Sequence, residues 1–214
     1  CLDTGYRHLE QTKEIPPVVY VVRGTGPCTG VGFPAANEST TAGYTTDYTC
    51  TRGTVMVKGT VQGQVTVGAQ DDVVVTGDMV RKDRASGSTD VVGLVGGNNV
   101  WVYHPVNSSG ANLLSASDSV HEIDAAILSL QHSFIVQNYD KGAALSSSDP
   151  DSKLNVTGAI AQRFRGPVGT GNGVSASTGY LKNYVYDDRL TFLQPPYFLK
   201  PASSPWITKK ISDG

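Results

Sequence analysis

Short runs of β-branched residues recur through the middle of the chain, each only four or five residues long. Within Gly53–Val106 they are Thr54–Val57, Gln64–Val67, Val73–Thr76, Val91–Val95 and Val100–Tyr103. Gly, Asn and Asp stand between them, the residues that let a chain turn sharply. Val57 and Val75 are eighteen residues apart, and the run Thr54–Val57 is followed by two others about eight to ten residues apart. That spacing predicts an all-β fold, a single-stranded parallel β-helix (solenoid). Each turn would hold two or three short strands, a turn residue at each corner, and Val stacked on Val inside. An antiparallel sandwich has similar strand spacing. The solenoid is preferred because the strands are very short. The connections Gln62-Gly63 and Gln70–Asp72 also lack hairpin dipeptides such as Asn-Gly.

The pattern changes on either side of this stretch. Residues 1–16 read as a polar lead-in, and Pro16-Pro17 opens an apolar strand at Val18–Val22. Residues 23–52 form a long Gly-, Thr- and Ser-rich loop, and 81–90 a charged loop that interrupts the coils. Near 118–130 the period becomes helical: Ile123, Ala126, Ile127 and Leu130 fall at i, i+3, i+4 and i+7. With Asp118 as N-cap and Glu122 near the first turn, this predicts one short amphipathic helix docked on the solenoid or covering one end of it. Strands resume at His132–Tyr139 and Lys153–Phe164.

The last segment concentrates aromatic residues: Tyr180, Tyr184, Tyr186, Phe192, Tyr197, Phe198 and Trp206. Pro195-Pro196, Pro201 and Pro205 exclude a central strand or a helix there. The expectation is an extended aromatic C-terminal strap along the solenoid, covering its edges; an aromatic carbohydrate platform is the functional alternative. The organisation expected is thus 1–52 as lead-in, first strand and stapled loop, 53–170 as solenoid core, and 171–214 as strap, all one domain.

Composition narrows the partners. Of 214 residues, 24 are Gly and only 17% are charged, which favours strands and turns. A net charge of −2 gives no electrostatic case for nucleic acid. No run reaches the length of a membrane span, and Cys1–Pro16 is too polar for a signal peptide, so a processed or truncated chain is expected. Cys28 and Cys50 bracket the 23–52 loop, and a disulfide between them would contribute about 3 kcal/mol and suit an exported protein. Cys1 either carries a lipid anchor, as in a mature bacterial lipoprotein, or marks where a longer chain was cut.

Candidate chemistry is sparse. The chain has no GxSxG, HExxH, Walker A or CxxC motif, so no catalytic residue and no cofactor or metal site is expected from motifs. His8, His104, His121 and His132 lack metal-ligand spacing, and Asp140, Asp149 and Asp151 lack that of a calcium loop. The charged and aromatic residues that would make a ligand face are Asp71, Asp72, Asp78, Arg81, Lys82, Tyr197 and Trp206. On a β-helix the aspartates and basic groups would serve a polysaccharide lyase or hydrolase. Asp at a coil corner equally caps a turn with no chemistry involved.

The runs Val73–Val106 (VVVTGDMV…DVVGLVGGNNVWVYHPV), Ile123–Tyr139 (IDAAILSLQHSFIVQNY) and Gly158–Gly169 (GAIAQRFRGPVG), with GYLKNYVYDDRLTFLQPPYFL beyond, carry a resemblance. They resemble bacterial exported proteins encoded alongside type IV pilus components, minor-pilin-like or pilus-associated, with a β-solenoid ectodomain. The resemblance spans roughly residues 53–206. It implies a cell-surface, extracellular setting and a non-enzymatic structural or adhesive role. It implies partners among other pilus or cell-surface proteins and carbohydrate, with membrane contact only through a helix or anchor missing from this chain. It supplies no catalytic residues.

Overall fold

The structure, a computed structural model, describes residues 14–26, 38–39, 49, 51–146 and 152–198. It is a parallel β-solenoid of about four turns. Its strands are β1 (Val18–Val21), β2 (Val55–Val61), β3 (Gln64–Ala69), β4 (Val73–Arg81), β5 (Val91–Gly96), β6 (Val100–Val102), β7 (Glu122–Ser129), β8 (Phe134–Val136), β9 (Leu154–Gln162), β10 (Gly169–Gly171), β11 (Ala176–Gly179) and β12 (Lys182–Tyr186). All but β10 and β11, a two-stranded antiparallel hairpin, belong to one sheet wound into coils.

Each coil runs across three faces in turn. The first face stacks β1, β3, β5 and the second halves of β7 and β9. The second stacks the starts of β2 and β4, then β6 and β8. The third stacks the ends of β2 and β4, the starts of β7 and β9, and finally β12. The eighteen-residue spacing is the repeat itself, because Val57 pairs in register with Val75. Where later coils are longer, the excess is spent on excursions at 82–90, 103–121 and, among the described residues, 137–146.

Parallel pairing in register puts like beside like. Inside, the first face stacks Val19, Val67, Leu94, Ile127 and Ile160. The second stacks Val57, Val75, Val102 and Val136. Six of these nine are buried in one core cluster, with Val19, Val57 and Ile160 half-buried against it, and each rung covers apolar surface that its neighbour would otherwise expose to water. A second layer lies outside the second face, where Val74, Trp101 and Ile135 are covered by Tyr103, Leu114 and Tyr139.

The helix expected near 118–130 is not formed. Glu122–Ser129 is strand β7, preceded by a 3₁₀ turn at Ala116–Asp118 whose N-cap is Ser115 rather than Asp118. The physical reason is burial on both sides. β7 pairs with β5 and β9, and six of its eight residues are buried. Inward Ile123, Ala125 and Ile127 alternate with Ala126 and Leu128 facing out, so the strand reads as a near-continuous apolar run. Such a run matches a helical template as well as a strand.

The aromatic segment divides. Lys182–Tyr186 joins the sheet as β12 instead of lying in the strap. Tyr184 falls in the inner column after Met79, Ile123 and Val156, with its ring 6.2 Å from that of Phe134. Residues 187–198 then run back along the outside of the first face. Arg189, in a 3₁₀ turn at Asp188–Thr191, donates from Nη1 to Ser88 O (2.7 Å) and Asp90 O (3.3 Å). Thr66 donates its hydroxyl to Pro196 O. Pro195 and Phe198 settle over Gly93, where a Cβ would stand 2.8 and 2.9 Å from their carbons. A column of small residues, Thr66, Gly93 and Ala126, makes the trench that receives them. The described residues 187–198 of the strap therefore cover a side of the solenoid. Cys28, Cys50, Cys1 and Trp206 lie outside the described residues, and so does the disulfide expected between the first two.

Candidate functional site

The residues expected to share one ligand face are dispersed. Asp71 and Asp72 occupy the corner between the first and second faces and are buried. Arg23 reaches Asp71 with Nε (2.8 Å to Oδ2) and with Nη2. Gly53 N–H donates to Asp71 Oδ2 at 2.8 Å, and Arg52 Nη2 lies 3.7 Å from Oδ1. The Arg23 guanidinium, helped by Gly53 N–H and the Arg52 charge, holds the Asp71 carboxyl down to about 2 against the opposing effect of burial. Asp72 accepts from Asn99 N–H at 2.9 Å and stands 3.6 Å from Arg52. The next coils repeat the device: Asn99 Oδ1 accepts from Ser133 N–H, and Gln162 Oε1 from Phe134 N–H. Side-chain acceptors here satisfy backbone donors where the chain turns. This corner is architecture.

Arg81 is buried against the carboxylates of Asp124 (3.7 Å) and Asp187 (3.5 Å), and Asp187 is also held by Arg189 at 2.7 Å. Burial pushes the Asp124 and Asp187 carboxyls up, while the neighbouring arginines pull them down. A cavity of about 10 Å³ separates these groups, room for one water molecule. Lys82 is exposed and donates to Gln62 Oε1 at 2.9 Å. Tyr197 is 88% exposed on the strap with φ +55°. Of the six candidates among the described residues, Asp78 alone lines the open groove on the third face.

That groove, about 390 Å³, runs over the outside of the third face. Successive rungs of β4, β7, β9 and β12 present Asp78, Glu122, Asn155 and Asn183, with Thr157 and Val185 in the next column. Parallel register sets these neighbours about 4.8 Å apart along the axis. Asp78 Oδ1 accepts from His121 N–H (2.7 Å) and Glu122 N–H (2.9 Å), which ties coil to coil. Glu122 is paired with Arg84 Nη1 at 2.6 Å. Asn183 Nδ2 donates to Asn155 Oδ1 at 2.8 Å. His121, at one wall, has Nδ1 3.2 Å from Ser152 O and Nε2 on Ala116 O, with its ring edge-on to Tyr180.

This arrangement offers carboxylate, amide and hydroxyl groups to a ligand's hydroxyls and amines. Among the described residues no group of three His, Cys, Asp or Glu side chains is placed to hold a metal ion. The other described histidines stand apart: His104 is buried between Gln137 O and Asn112 Oδ1, and His132 lies beside Phe164. Burial pushes the His104 imidazole down, opposed by those acceptors.

Reading the sequence missed His121, Glu122, Asn155, Thr157, Asn183 and Val185 as groove residues. Their spacing carries a signal only once the register is known: 122, 155 and 183 are successive outward positions of one column. The excursions between them vary in length and hide the period. Compared with known proteins, no family model matches the chain, and no curated protein or solved structure matches it.

Proposed function

We propose that the chain is a non-enzymatic extracellular structural or adhesive protein, a pilus-associated, minor-pilin-like ectodomain that presents the third-face groove to a surface partner. The observation that carries this reading is how the groove's charged groups are engaged. Glu122 is held by Arg84, the His121 ring sits between two backbone carbonyls, and one Asp78 oxygen is spent on two N–H groups. Amide, hydroxyl and carboxylate edges remain for holding a ligand, rather than an acid and base free to exchange protons. An in-register stack with a continuous core is a stiff support for such a surface. Partners under this reading are other pilus or cell-surface proteins and carbohydrate, with any membrane contact made through a helix or anchor outside these residues.

The test is location. An antibody to the chain should label intact source cells and detect it in the material sheared from their surface; confinement to the cytosolic fraction would overturn the reading. A second reading, a polysaccharide-acting lyase or hydrolase, is favoured by one observation: two carboxylates, Asp78 and Glu122, share a groove. New reducing ends or unsaturated products from a polysaccharide panel, lost in Asp78→Asn, would select it instead.

A further inference from the structure

We infer that the third-face groove binds an amino-sugar oligosaccharide laid along the solenoid axis, about one sugar per rung, with a free amine at Asp78. This rests on the surface-binding reading above and names the ligand of that same site.

The first argument is periodic. Asp78, Glu122, Asn155 and Asn183 offer one polar side chain from each of four successive rungs. Four rungs at the usual strand spacing span about 14 Å. A linear chain of pyranose rings repeats at nearly the same interval, so each ring meets an equivalent amide or carboxylate. The volume of about 390 Å³ falls within the range of ligand sites.

The second argument is the chemistry of the lining. Planar amides and carboxylates hold sugar hydroxyls through paired hydrogen bonds, and Val185, 52% exposed, gives an apolar patch for ring C–H groups. The third is charge. Arg84 is shared between Glu122 and Asp124 and acts on Asp78 only at longer range, with no cationic side chain within ion-pair distance of Asp78 among the described residues. Its Oδ1 is occupied by two N–H groups, which leaves Oδ2 as the acceptor for a cation. A ligand ammonium there forms a charge-assisted hydrogen bond. A uronate chain would instead bring its carboxylates against Asp78 and Glu122, with like charges opposed.

The experiment is calorimetric titration of the purified chain with glucosamine oligomers of two to six units. N-acetylated and galacturonate oligomers of equal length serve as comparators. The expected result is affinity that rises to about four units and then levels. Glucosamine should be preferred by about tenfold or more over both comparators, the size of one charge-assisted contact. Asp78→Asn keeps an oxygen for the two backbone donors and should remove the preference while the fold is retained. Asn183→Ala, on the exposed last strand, should weaken four-unit oligomers and leave two-unit ones nearly unchanged. Equal binding of the three series, preference for galacturonate, or no heat with any of them would overturn the inference. The location test is independent of that outcome, so the surface reading stands or falls separately.

Discussion

Asp71 has no exposed side-chain surface and is held by Arg23, Gly53 N–H and Arg52. Its carboxyl is lowered from 3.8 to about 2, so the folded state favours the ionised form. The sign follows from linkage. The contribution is fully present above the unfolded value of 3.8 and is lost as pH falls through about 2. With Arg23 half exposed and partly screened, it is on the order of 1–2 kcal/mol. Asp71→Asn should therefore unfold at lower urea than the parent protein above pH 4, and the two midpoints should converge as pH approaches 2. A gap that widens on acidification would refute this account. The aspartate run was visible in the sequence, and its turn-capping alternative fits what the corner contains. That both of its carboxylates are buried was not visible, because Arg23 and Arg52 reach them across a loop.

At the scale of elements, two glycines with different neighbours separate stacking from strapping. Gly158 of β9 faces Ala125 of β7 in register, and a Cβ there would lie 1.9 Å from Ala125 O. Backbone cannot yield cheaply, so Gly158→Ala should cost about 3 kcal/mol or more, read as a drop in urea midpoint. At Gly93 the obstacles are side-chain atoms of Pro195 and Phe198. Gly93→Ala should cost about 1–2 kcal/mol, the scale of a locally overpacked site. It should make residues 187–198 more readily cleaved in limited proteolysis, with the coils still protected. Equal protection of the strap in variant and parent would count against the trench described here. The same scale explains the misread element. β7 carries both a helical apolar spacing and the alternation of a strand, and only its neighbours β4, β5 and β9 decide between them. By contrast β3, β4, β5 and β6 were legible, because they are short, β-branched and separated by turn residues.

At the scale of the whole molecule, stability in a solenoid is close to a sum of nearest-neighbour terms, so distant coils are coupled only weakly. Arg189 adds a long-range tie. It is buried, bonded to Asp187 beyond the last rung and to Ser88 and Asp90 in the excursion before β5. Removing one partner of a buried ion pair typically costs about 3–5 kcal/mol. Arg189→Met should lower the urea midpoint by that order and broaden the transition, as the terminal coils open before the central ones. A parallel shift with unchanged steepness would show that the strap is not what couples them.

The sequence by itself determined the class of this protein. Eighteen-residue returns of short β-branched runs, with turn residues at their ends, leave few solutions other than stacked coils, because each run needs a like run above and below it to bury its apolar side. Composition and Pro195-Pro196 likewise pointed to a C-terminal strap. Tertiary structure alone decided the register across excursions of unequal length, since that pairing is set by the fit of the whole column and not by any local spacing. It thereby decided that Glu122–Ser129 is a strand, that Lys182–Tyr186 completes the third face, and that Asp78, Glu122, Asn155 and Asn183 stand in one line. Residues as much as 105 positions apart came to share one line there through successive in-register rungs.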